Sequence, residues 1–133
     1  MLVLLGACSR TPDEERIRQT IEAMRQAMEG HTPRAFMAHV DDDFVGNDAD
    51  IDKAALANIL RMEVLRNDQV GVTLGPIDVE LQGERAVVHV TATFTGGSGG
   101  LLPERGSVYS ITSGWKRNGN DWVCFSAKWQ QDL

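Results

Sequence analysis

The stretch GSVYSITSGWKRNGNDWVCFSAKWQ, residues 106–130, decides how the rest of the chain is read. Two runs of alternating residues flank Asn118-Gly119-Asn120, and all three tryptophans, Trp115, Trp122 and Trp129, lie within them. An Asn-Gly pair between such runs is the strongest short-range signal for a β-hairpin, because both residues tolerate positive φ. Asp121 leaves room for a longer loop, so the hairpin is predicted without its turn type. The preceding elements are then expected to cover one face of the sheet that holds this ribbon.

Working outward, residues 85–95 form the clearest strand: Ala86, Val88, Val90, Ala92 and Phe94 face one way. Arg85, His89, Thr91 and Thr93 face the other, with Val87 the apolar exception. One face is core and the other meets water or a partner. Residues 72–81 read as a further strand, irregular at Gly75-Pro76 because proline brings no N–H to a ladder. Between residues 95 and 106, Leu101-Leu102-Pro103 sits in a glycine-rich loop that either packs over the core or forms an apolar tip for a partner or lipid.

The N-terminal half has the period of helices. Ile17, Ile21, Met24 and Met28 form one stripe, preceded by Thr11-Pro12 with Glu14 as a capping box and followed by Gly30 as a left-handed cap. Thr32-Pro33 starts a short helix carrying Phe36 and Val40 inward. Residues 41–46 read as a brief extended piece, and residues 53–66 as a third helix capped by Asp50 or Asp52, with Leu56, Ile59, Leu60 and Val64 inward. The order predicts an α+β fold: three N-terminal helices packed on a curved antiparallel sheet.

Composition narrows the functional classes. The chain has 133 residues, enough for one domain with one core. Its net charge of -6 and lack of a basic stripe argue against nucleic acid, and an acidic surface disfavours anionic lipid headgroups. No run approaches the roughly 20 apolar residues of a membrane span.

Residues 1–8, MLVLLGAC, are apolar and stop sharply at Ser9-Arg10. Leu5-Gly6-Ala7-Cys8 resembles a bacterial lipobox, in which the cysteine is acylated and becomes the mature N-terminus. That resemblance implies a signal-peptide remnant over 1–8, a tether over 9–12 and a domain over 13–133. The apolar run is short and no basic residue precedes it, so the natural start is expected upstream. Acylation at Cys8 would be the only membrane attachment, and Ser9 after it implies the outer membrane, facing the periplasm. Cys124 lies mid-strand and reads as a small core residue.

The helix with Ile17 and Met28, the short helix running into Asp43-Phe44-Val45-Gly46, and the ribbon with Trp115-Lys116-Arg117, Gly119 and Trp122-Val123 together resemble the nuclear transport factor 2-like (SnoaL-like) superfamily. The resemblance covers about residues 13–129 and implies a cystatin-like cone, a curved sheet wrapped around helices. It is silent on activity, since such cones host isomerases, cyclases, dehydratases and binding domains. Steroid-isomerase-like members place a tyrosine on the first helix, where this chain has none; Tyr109 lies on a late strand. Many members dimerise through the outer sheet face, which here carries Val87, His89, Thr91 and Thr93.

Asp41-Asp42-Asp43 is the densest charge cluster. Asp41 or Asp43 could serve as a general base raised by its neighbours, or the three could simply be a solvated turn, the reading preferred here. A calcium loop counted from Asp41 lacks acidic ligands at positions 5 and 9 and the final glutamate. His31, His39 and His89 have no metal spacing. No nucleophile elbow or phosphate-binding lysine is present, and no cofactor is expected. The interior, lined by Met24, Met28, Phe36, Phe44, Tyr109 and Trp129, suits a small hydrophobic ligand or a filled core. The expected function is a non-catalytic binding module, with a SnoaL-like enzyme as the alternative.

Overall fold

Asp13–Glu29 forms helix α1, whose acidic first turn (Asp13, Glu14, Glu15) suits the positive end of the helix dipole. The computed structural model describes residues 12–97 and 105–132. Cys8 and its lipobox, Thr11 and Leu101-Leu102-Pro103 lie outside them. Ile17, Met24 and Met28 are buried along one side of α1, as the stripe predicts. The Glu14 carboxylate accepts from Arg18 one turn on, at 2.9 Å, and the capping box expected with Thr11 lies outside the described residues. Gly30 is not left-handed (φ -87°); His31 takes that position at φ 59°. The His31 ring is held there by the Asn67 carbonyl, at 3.2 Å.

Pro33–Met37 forms α2, Val40–Gly46 β1 and Ile51–Asp52 β2. Lys53–Arg66 forms α3, and the Asp52 carboxylate accepts from the Ala55 N–H at 2.8 Å, which identifies the cap. The remaining strands are β3 (Gln69–Leu74), β4 (Asp78–Gln82), β5 (Arg85–Gly97), β6 (Arg105–Asn118) and β7 (Asp121–Gln131). The strand expected over 72–81 is therefore two, parted at Gly75-Pro76, and both pair antiparallel with β5. Asn118 pairs with Asp121, so the hairpin loop is Gly119-Asn120, with Gly119 at φ 69°.

The sheet order is β2-β1-β7-β6-β5-β3, with β4 also on β5. One pairing departs from the expected antiparallel sheet: β1 runs parallel to β7, so the sheet is mixed. Antiparallel neighbours are the default for strands joined by tight turns, and β1 is separated from β7 by nearly the whole domain.

The core gathers Ile17 and Met24 of α1, Val40 and Phe44 of β1, Ala86 and Val88 of β5, and Trp115, Trp122 and Cys124 of the ribbon. Trp115 and Trp122 are the largest fully buried side chains. Each has a partner for its indole N–H: Ser113 Oγ for Trp115 (2.9 Å) and Asp13 Oδ1 for Trp122 (3.2 Å). Arg117 also donates to Asp13 and lies 5.8 Å from the Trp122 ring centre, joining α1 to the hairpin.

The free edge of β3 is closed by an ion pair instead of a strand. Glu29 accepts the Val72 N–H at 2.9 Å, while Arg25 reaches the Val72 carbonyl and binds Glu29 at 2.7 Å. The pair thus meets both edge groups of Val72, which a neighbouring strand would otherwise claim. The Val72 N–H, then Arg25, hold the Glu29 carboxyl below its ordinary range.

Two outcomes follow from this packing. Trp122→Ala is expected to lower unfolding free energy in urea by about 3–5 kcal/mol, the usual cost of emptying a buried aromatic site. A folded-state carboxyl with a lowered pKa contributes stability above its unfolded value of 4.5, and that contribution is lost as pH falls through the folded value. Glu29→Gln should therefore be less stable than the parent at neutral pH and lose less on acidification from pH ~5 to ~3.

Candidate functional site

The six residues expected to line the interior divide into two groups. Met24, Met28 and Phe44 are buried, closed off from any ligand. Phe36, Tyr109 and Trp129 remain half-buried, with Phe36 and Trp129 packed against the core cluster. Strand register explains the second group. Tyr109 pairs with Ala92 and Trp129 with Ile111, so both aromatic rings stand on the concave face near the far end of the ribbon. Phe94 meets Tyr109 edge-on, with centroids 5.7 Å apart and planes at 88°. The Tyr109 hydroxyl reaches Gln131 Oε1 at 3.4 Å, which gives this aromatic group one polar end.

Trp129 is positioned by the turn after β1. Its backbone N–H donates to Asn47 Oδ1 and the Asn47 N–H donates to the Ala127 carbonyl, both at 2.9 Å. Asn47, Asp48 and Ala49 are all left-handed, at φ 46°, 63° and 74°. Three successive non-glycine residues in this region store backbone strain that the surrounding bonds must offset. Gly46 has no room for a side chain: a Cβ there would stand 2.9 Å from the Trp129 ring.

The aspartate cluster stands apart from this aromatic group. Lys116 binds Asp41 at 3.3 Å, and the Asp41 carboxylate also accepts the Asp43 N–H at 3.1 Å. Lys53 binds Asp42 at 3.0 Å, and Asp43 is exposed. The three residues lie along β1, ahead of Val45 and Gly46, which pair with β2. Asp48, in the turn after β1, is paired with Lys128 at 3.2 Å. Among the described residues, no three His, Cys, Asp or Glu side chains converge as metal ligands do.

Cys124 is buried, its thiol donating to the Ser126 carbonyl at 3.3 Å. Burial pushes that thiol up to about 12, so almost no thiolate exists at neutral pH. His89 lies on the outer face as expected, between Thr112 (3.2 Å) and Glu80 (3.8 Å). Sequence reading missed a second feature of that face. The Arg85 guanidinium stands 5.0 Å from the Phe125 ring centre, and Phe125 lies over Gly114. A register shift in the β6–β7 pairing at Gly114/Trp115 turns Phe125 outward, and no local pattern announces such a shift.

Two open concavities lie among the described residues, and neither is lined by Phe36, Tyr109 or Trp129. One of about 420 Å³ runs over the charged side of α1, lined by Glu15, Arg18, Glu22 and Gln26. The other, about 470 Å³, follows the β3 edge beside Glu29, His31, Asp68 and Val70. Both are open and lined mainly by charged and polar residues, a poor match for a hydrophobic ligand.

No protein-family model matches this sequence, and no curated protein matches it. Solved structures do. The chain is similar to a proposed dehydratase of the nuclear transport factor 2-like family from Streptomyces avermitilis, with TM-score 0.76 and 15% identity over 91% of this chain and 97% of that one. It is also similar to a nuclear transport factor 2-like protein of unknown function from Pseudomonas putida, with TM-score 0.73 and 22% identity over 89% and 84%. A third similarity is to Bd1075 of Bdellovibrio bacteriovorus, with TM-score 0.75 and 11% identity over 88% of this chain, which spans 41% of that protein. Identities of this size speak to the fold alone. With three helices on a curved mixed sheet, the chain has the nuclear transport factor 2-like, cystatin-like fold.

Proposed function

We propose that the chain is a lipid-anchored, non-catalytic binding module of the bacterial cell envelope, attached through Cys8 at the periplasmic side of the outer membrane. Its ligand is a small hydrophobic molecule that rests against Phe36, Tyr109 and Trp129. The observation that carries this reading is the division of the interior. Its Trp115 and Trp122 half is closed, whereas the Tyr109 and Trp129 half keeps half-buried aromatic surface with a hydroxyl at its end. Flat aromatic faces with one polar group suit an apolar ligand that carries a single oxygen or nitrogen.

A second copy on the outer sheet face, around Val87, His89 and Phe125, is compatible with this arrangement, because the ligand face points the other way.

The enzymatic alternative draws on the similarity to the Streptomyces avermitilis protein. It would use Asp41 or Asp43 as base on a small hydrophobic substrate. The positions of both carboxylates weigh against it, since Asp41 is bound by Lys116 and Asp43 faces water.

The anchoring half of the proposal has a direct test. Expressed in a bacterial host behind a complete secretion signal, the chain should fractionate with membranes, and Cys8→Ser should release most of it to the soluble fraction at physiological salt. Unchanged fractionation of Cys8→Ser would contradict attachment through that residue.

A further inference from the structure

Helix α3 is apolar on two sides. At 3.6 residues per turn, Leu56, Leu60 and Val64 occupy the side turned to the domain, and Leu56 and Leu60 pack against the core. Ile59, Met62 and Leu65 occupy the opposite side, exposed by 41%, 48% and 74%. None of the fourteen residues of α3 is fully buried. A globular surface helix ordinarily turns one apolar stripe inward and a polar face to water, and α1 does so. A second apolar stripe at adjoining turns is a surface with an occupant to be found.

Charge indicates which occupant. The chain carries a net charge of -6, yet α3 carries Lys53, Arg61 and Arg66 against Glu63, a net +2. Lys53 is bound to Asp42 at the start of the helix, so the charge beside the exposed stripe comes from Arg61 and Arg66. Glu63 stands 3.7 Å from Arg66, a loose pair on a solvent-facing surface. Aliphatic side chains flanked by arginines suit a bilayer interface: the aliphatics enter the acyl boundary and the guanidiniums meet headgroup phosphates. A second copy of the helix fits less well. A two-fold antiparallel pairing centred on Met62 would set Arg61 beside its own symmetry mate.

We propose that the Ile59–Met62–Leu65 face of α3 rests on an anionic lipid surface, with Arg61 and Arg66 at the phosphates. The inference rests on the reading of Cys8 as a lipid anchor for its biological setting. Residues 9–12 can span at most about 14 Å, so an anchored domain stays against the bilayer. Under that restriction a weak interfacial contact becomes an effectively intramolecular one and fixes which side of the domain faces the lipid. It also reconciles an acidic chain with an anionic surface, since the local charge of α3 opposes that of the whole.

The test uses the full chain as Cys8→Ser, so that no acyl chain contributes and the outcome is independent of the anchoring result. The chain is sedimented with vesicles of phosphatidylglycerol in phosphatidylcholine, and with vesicles of phosphatidylcholine alone, at low salt. The expected result is a several-fold larger bound fraction on the anionic vesicles. Ile59→Ser/Met62→Ser/Leu65→Ser should abolish binding, and Arg61→Gln/Arg66→Gln should reduce it several-fold, with thermal melts showing that both variants fold. Failure to bind anionic vesicles, or binding indifferent to these substitutions, would overturn the proposal. So would a dimer by analytical ultracentrifugation that only the triple variant dissolves, because the face would then belong to a second copy.

Discussion

The carboxylate of Asp13 joins the two layers of this protein. It opens α1 and, across more than a hundred residues of sequence, accepts from the Trp122 indole and pairs with the Arg117 guanidinium at the tip of the β6–β7 ribbon. Trp122 could not be buried without a partner for its N–H, because an unpaired donor in an apolar setting costs about 1–3 kcal/mol. With that bond made, the ribbon's tryptophans can lie beneath α1, and Ile17 becomes wholly inaccessible to solvent. The closed half of the interior follows from this contact, and so does the position of the open half at the other end of the ribbon.

Much of this was legible in the sequence, for reasons that are local. The hairpin at Gly119, the alternation of β5 and the bounds of α3 each rest on residues close together in the chain, where periodicity and capping chemistry act. The features that were missed are contacts between distant segments. Asp13 stands in the acidic first turn of α1, and nothing near it in the sequence points to Trp122. Arg25 and Glu29 are a helical i,i+4 pair that also closes the edge of β3, a segment more than forty residues away. The parallel seating of β1 on β7 and the outward turn of Phe125 depend on register between segments that no short window contains.

The same distinction applies to the candidate site. Apolar periodicity marks residues as fit for burial without saying which of them find partners. Met24 and Trp129 were equivalent on that criterion, yet one is sealed and the other half-open. The left-handed turn of residues 47–49 ties the backbone at Trp129 to the end of β1, a contact between distant segments that periodicity does not register. Ile59 illustrates the converse: its spacing placed it on the buried face of α3, but it stands on the exposed one. The inward stripe is complete without it, which is why the outer face of α3 is a surface in its own right.

The central claim is that the Tyr109 and Trp129 half of the interior holds a small hydrophobic molecule. Native mass spectrometry of the Cys8→Ser chain, purified gently from a bacterial host, tests it most directly. The account predicts an adduct of a few hundred daltons (about the mass of a ligand that fits a pocket of ordinary size) that Trp129→Ala abolishes and Asp43→Asn leaves in place. A chain of bare sequence mass, or an adduct indifferent to Trp129, would contradict it.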